Sequence, residues 1–286
     1  MNIEIIVVTL LVLSILIYII LNMKTFFFRD SKVYDTLENY NYKYTKHKFH
    51  SSNDVELDAT LIKTDKESKG YVFIANGMKQ NMSFRFTQWL WIVDSGYDVF
   101  LFDYGGYGDS HIREIELEGF KDDVSAALVY AHSLDKDRQM IVIGQSMGGT
   151  FVINALKQCC ECEYVFLVVI DATFKSFASV LSGLMMKGGL LHLSWLPYVI
   201  KPPSLNSIDH IEGLNYPILF VTGDRDFIVN CKDTRKIYEK STAQKALWIA
   251  KKAGHVQSFN KSSVQKAFLE LLEDRELFTL KGERSF

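Results

Sequence analysis

The chain has 286 residues, a formal net charge of −2 and a hydrophobic fraction of 48%. That length buries a full core within one domain, and the near-neutral balance excludes a nucleic-acid partner held by a basic surface. No phosphate-cradling G-x-x-x-x-G-K run and no zinc-type Cys/His spacing occurs, so neither cofactor nor metal is expected.

The first element is the run Ile5–Leu21, IIVVTLLVLSILIYIIL, in which only Thr9, Ser14 and Tyr18 carry polar atoms. Such a run satisfies its own backbone in hydrocarbon only as a helix. Residues 1–24 are therefore expected to form a transmembrane anchor. A cleaved signal peptide fits less well, because MNIE lacks a basic side chain and no small-x-small site follows. Lys24, Arg29 and Lys32 come just after the run, which by the positive-inside rule makes this a single-pass membrane protein with a cytoplasmic body. Residues 25–41 read as a juxtamembrane segment, with Phe26, Phe27 and Phe28 at headgroup level.

From residue 42 to 286, short apolar runs alternate with helical patterns, which predicts one α/β domain with a mostly parallel sheet. Eight strands are expected, at Tyr42–His50, Val55–Lys63, Tyr71–Ala75, Asp98–Asp103, Met140–Gly144, Tyr164–Ile170, Ile218–Thr222 and Ala246–Ala250. The first two alternate and fit an antiparallel hairpin around Ser51–Asp54. Later ones are continuous apolar runs, as strands covered on both faces should be. Helices are expected near Phe84–Asp94, Leu117–Ser133, Gly149–Lys157 and Val264–Glu273. Cys159, Cys160, Cys162 and Cys231 show no disulfide framework and read as reduced thiols.

Gly144-Gln145-Ser146-Met147-Gly148 matches G-x-S-x-G between a strand and a helix. That context is what a nucleophile elbow requires: a tight, strained turn that lifts a serine hydroxyl above the sheet edge.

With three further segments in order, the chain resembles the α/β-hydrolase superfamily, in particular its serine-aminopeptidase-like and acyl-protein-thioesterase-like branch. Asn76-Gly77-Met78 stands where that family has His-Gly-x. Asp103-Tyr104-Gly105-Gly106-Tyr107-Gly108-Asp109-Ser110 resembles its D-Y-R-G-Y-G-x-S loop, and Gly223-Asp224-Arg225-Asp226-Phe227-Ile228-Val229 its G-x-x-D-x-x-V. The resemblance implies an α/β-hydrolase fold with helices on both faces of the sheet and a small helical cap within 173–215.

It also implies roles. Ser146 is the nucleophile. His255, in Ala253-Gly254-His255 after an apolar run, is its general base; His192 and His210 also follow Ser146 but fit a cap and a polar helical stretch. Asp226 is selected as the acid over Asp224, which suits the turn. The backbone N–H groups of Met147 and Met78 would form the oxyanion hole, and Asn76 would brace its loop. Phe174, Met185, Leu191 and Trp195 are the expected cap lining of an acyl cleft.

These parts need no cofactor to cleave an acyl ester or thioester, and an apolar cap on a membrane-tethered body favours a lipid-like substrate. A serine aminopeptidase remains an alternative, although no carboxylate lies between Phe174 and Ile208 to hold a substrate amine. An acyltransferase, or a silent membrane-bound binding protein on the same scaffold, are the others.

Overall fold

The computed structural model describes residues 3–26, 29–79, 81–159, 162–199, 205–274, 276 and 279–286. Phe27, Phe28 and Cys160, each given a reading above, lie outside them. The apolar leader is helical, α1 (Ile3–Phe26), with its described side chains largely exposed. The expected transmembrane anchor is corrected: a crossing needs about 20 consecutive apolar residues, and among the described residues no helix is long and apolar enough.

Nine strands form one sheet. In chain order they are β1 (Lys43–His50), β2 (Glu56–Lys63), β3 (Tyr71–Ala75), β4 (Asp98–Phe102), β5 (Met140–Gln145), β6 (Val165–Asp171), β7 (Ile218–Gly223), β8 (Lys245–Ala250) and β9 (Gly282–Ser285), and the spatial order is β1-β2-β4-β3-β5-β6-β7-β8-β9. The hairpin is as expected, with Lys43 opposite Lys63 and His50 opposite Glu56. β2 pairs antiparallel with β4, and all later pairs are parallel. The expected count of eight is corrected to nine because β9, Gly-Glu-Arg-Ser, is exposed throughout and carries no apolar pattern.

The helices after α1 are α2 (Met82–Arg85), α3 (Leu90–Asp94), α4 (Leu117–Leu134), α5 (Met147–Gln158), α6 (Phe177–Lys187), α7 (Leu196–Val199), α8 (Ser207–His210), α9 (Cys231–Lys240) and α10 (Ser262–Glu273). A 3₁₀ stretch, Phe86–Trp89, joins α2 to α3.

Alternation along the strands splits the core between the two faces of the sheet. Phe73, Val142, Val168 and Phe220 join Phe120 and Phe151 on one side. Ile74, Ile143, Val169 and Val221 join Trp89, Phe259 and Phe268 on the other. The parallel strands β3, β5, β6 and β7 all end at one carboxyl edge, where this architecture places its ligands.

Residues 29–41 are packed onto the body. Leu37 is in the core, and the Asp30 carbonyl accepts from Gly108 N–H at 2.9 Å and from Asn81 Nδ2 at 2.9 Å. The segment between β6 and β7, where the cap is expected, carries α6, α7 and α8. α6 is opened by Ser176, which caps Ser179 N–H, and is pinned to α9 through Lys175 Nζ on Asp233 Oδ1 at 3.0 Å. The reading of Cys159 and Cys162 as reduced thiols is corrected, for Cys159 caps α5 and is bonded to Cys162, their Cα atoms 5.8 Å apart, while Cys231 is a free thiol.

Candidate active site

Ser146 sits between β5 and α5 with φ +53° and ψ −118°, a conformation costly for a side chain and held only where surroundings over-determine it. Its N–H donates to the Asp171 carbonyl at 2.8 Å, and its own carbonyl accepts Thr173 Oγ1 at 3.0 Å. The flanking glycines are there because backbone passes too close for a Cβ. At Gly148 one would stand 2.3 Å from the Ala75 oxygen, and at Gly144 one would stand 2.6 Å from Gly149 Cα.

His255 lies in the turn after β8 and Asp226 in the loop after β7. His255 Nε2 is 2.9 Å from Ser146 Oγ, and its Nδ1 is 2.8 Å from Asp226 Oδ2. The Asp226 side chain is fully buried and that of His255 is 17% exposed. Asp226 Oδ1 accepts the N–H groups of Ile228 and Val229 at 2.8 and 2.9 Å, which fixes the carboxylate against rotation. Asp224 serves the turn, as read from sequence, by accepting Lys252 N–H at 2.6 Å.

Met147 opens α5, where the first amides have no intrahelical acceptor and meet the positive end of the helix. The Gly77–Met78 backbone runs beside Ser146: a Cβ at Gly77 would stand 3.2 Å from Ser146 Cβ and 3.8 Å from its Oγ. Both expected oxyanion amides thus belong to segments that flank Ser146. The bracing expected of the Asn76 side chain is corrected. Tyr104 OH holds that loop through the Asn76 carbonyl at 2.9 Å, while both Asn76 side-chain polar atoms are buried without a hydrogen-bond partner.

The expected cap lining is not brought to one surface. Phe174 and Met185 are buried at 2% each, and Phe174 meets Phe177 edge-on. Leu191 and Trp195 are 67% and 57% exposed, and Trp195 Nε1 is spent on the His192 carbonyl at 2.9 Å. Periodicity did not separate the two pairs because large apolar residues recur along the whole stretch from 174 to 195.

Sequence reasoning missed Asp171, which ends β6 beside Gln145 and is fully buried. Burial pushes its carboxyl up to about 6, while the Gln145 amide and the His255 and Arg85 charges draw it down and Asp226 pushes it up. An acid closing the apolar run VFLVVI at the carboxyl edge was the available signal. Among the described residues, no group of three or more His, Cys, Asp or Glu side chains is arranged to hold a metal ion.

The comparisons with known proteins agree with this geometry. A family described as serine aminopeptidase, S33, matches residues 66–199. The uncharacterized protein YfhR of Escherichia coli is 26% identical over 188 residues, 65% of this chain and 63% of that protein, so the chain spans under two thirds of that relative. The YfhR protein of Salmonella typhimurium is 23% identical over 267 residues, 88% of this chain and 87% of that protein. The α/β hydrolase domain-containing protein WAV2 of Arabidopsis thaliana is 26% identical over 207 residues, 68% of this chain and 65% of that protein. Among solved structures, the esterase Pf2001 of Pyrococcus furiosus superposes with a TM-score of 0.68 at 16% identity, covering 86% of this chain and 95% of its own. A tight serine turn on a mostly parallel sheet, an aspartate after β7 and a histidine after β8, read together with these likenesses, give the chain the fold of the α/β-hydrolase superfamily.

Proposed function

We propose that the protein is a serine hydrolase that cleaves carboxylic esters or thioesters through an acyl-enzyme on Ser146. The observation that carries this reading is the continuous hydrogen-bonded series from Ser146 Oγ to His255 to Asp226 at 2.9 and 2.8 Å. As Ser146 Oγ attacks the acyl carbon, His255 Nε2 takes its proton and the carbonyl electron pair moves onto oxygen. That oxyanion would be met by the N–H groups of Met147 and Met78. Collapse expels the alcohol or thiol, which takes the proton back from His255. Water, deprotonated by the same imidazole, then releases the acid and restores Ser146. Asp226 holds the ring with Nδ1 protonated and stabilises the imidazolium.

A fluorophosphonate probe tests this directly. Wild-type protein labels, Ser146→Ala does not, and Asp226→Asn loses about 10⁴-fold in kcat on a reactive ester. Folded wild-type protein that neither labels nor turns over any ester or thioester in a panel sinks the reading.

Location is a further part of the proposal: α1 attaches the body to a lipid surface, which raises its effective concentration near lipid-like acyl substrates. Supporting this are the exposed Ile5, Val8, Leu11 and Val12 of α1, with Lys24, Arg29 and Lys32 following. Full-length protein that stays in the supernatant when mixed with anionic lipid vesicles would argue against it.

A further inference from the structure

Beneath the Ser146 turn, three polar side chains occupy one row across adjacent strands. Ala75 pairs with Gly144, so Asn76 follows at the level of Gln145, and Gln145 pairs with Asp171. All three are buried, at 2, 1 and 0%. Ile74, Ile143 and Val169, two positions earlier on each strand, belong to the core shared with α3 and α10, so the row faces that side.

Gln145 Nε2 donates to Asp171 Oδ2 at 3.0 Å, and the Asp171 carbonyl takes the Ser146 N–H. Asp171 thus holds the residues on both sides of the Gln145–Ser146 peptide. Its other carboxylate oxygen, Gln145 Oε1 and Arg85 Nε are buried without a hydrogen-bond partner. Folded proteins seldom leave such atoms in place without a task for them, and an apolar side chain would close β6 at lower cost. The charged groups that act on Asp171 through space are His255 and Asp226, from the loops after β8 and β7, and Arg85 from α2.

We infer that Asp171 is a positioning residue of the catalytic machinery: a second, buried carboxylate that supports the His255 imidazolium from below while Asp226 orients the ring, with Gln145 and Arg85 keeping it ionised. The inference rests on the acyl-transfer reading.

A negative charge beside an imidazole favours its protonated form. The base must be neutral to act, so the acid limb of kcat/KM reports its titration in the free enzyme. Asp171→Asn keeps an acceptor for Gln145 and removes the charge. With p-nitrophenyl butyrate, its acid limb moves to lower pH by about half a unit or more, kcat falls about 10-fold and KM stays within about two-fold. Gln145→Met removes the neutral amide that helps keep Asp171 ionised, so it moves the limb the same way by less.

A folded Asp171→Asn with an unmoved limb overturns the inference. Should that variant fail to fold, Gln145→Met decides, and a limb that stays or moves to higher pH overturns it. Failure of wild-type protein to label and turn over ester would instead remove the acyl-transfer reading, a separate outcome visible before any variant is compared.

Discussion

Gly148 shows how little room the nucleophile turn leaves. An added Cβ would meet two carbonyl oxygens, of Ala75 and Asn76, at 2.3 and 2.4 Å, and both belong to backbone at the end of β3. Gly148→Ala therefore destabilises by more than about 2 kcal/mol, read as a lowered urea midpoint, and labels poorly even when folded. Asp103 supplies a pH test. Burial pushes its carboxyl up to about 8, against the pull of the Met82 amide, which donates to Oδ1 at 2.6 Å. A folded-state pKa raised above the unfolded value gives stability that is complete below about pH 4 and is lost as pH rises from there to about 8. The expected result is a wild-type Tm that falls between about pH 5 and 8, with a smaller fall in Asp103→Asn. At this scale the meeting of Ser146 and His255 was legible because each stands among distinctive neighbours, two glycines at an elbow and a short turn after an apolar strand. Asp171 was not, because a register across two strands, not a local motif, brings it beneath the site.

Elements were legible wherever burial forces a pattern. β3 and β5–β8 are continuous apolar runs because both of their faces are covered, and the antiparallel hairpin showed its alternation. α9 was missed because it is mostly polar, with only Asp233, Thr234 and Ile237 buried. β9 was missed for the same reason: it is held by backbone pairing to β8, by Arg235 fork-bonded to Glu283 at 2.6 and 2.7 Å, and by Phe286 against Trp248, ring centroids 5.0 Å apart. Removing residues 282–286 uncovers Trp248 and the β8 edge, and should cost about 2–3 kcal/mol, measured by urea unfolding. The Cys159–Cys162 bond closes a loop of only a few residues. Chain-entropy reasoning limits its contribution to about 2 kcal/mol, so reduction lowers the unfolding midpoint modestly and leaves fluorophosphonate labelling intact.

At the scale of the molecule, the reading of 25–41 as a segment apart from the body missed how firmly its latter part is fastened. Nothing in its composition announces this, since the bonds are made by backbone carbonyls. Asn81 Nδ2 reaches both the Asp30 and the Lys32 carbonyls, at 2.9 and 2.8 Å. Its Oδ1 caps α2 through Ser83 N–H at 3.0 Å, and Tyr34 N–H donates to Ser83 Oγ at 3.0 Å. A chain begun at residue 29 should therefore keep wild-type Tm and labelling, whereas one begun at residue 38 should lose several degrees of Tm and part of its kcat, checked by calorimetry and ester turnover. The fastening also sets where mechanical load would arrive. Tension on the stretch before Arg29, from a surface or a fused handle, is delivered to the Arg113 carbonyl, which accepts Arg29 Nη2, and then to Asn81 and Gly108. Asn81 is only three residues from Met78, so a tug on the leader reaches the flank of the nucleophile before it strains a single strand of the sheet.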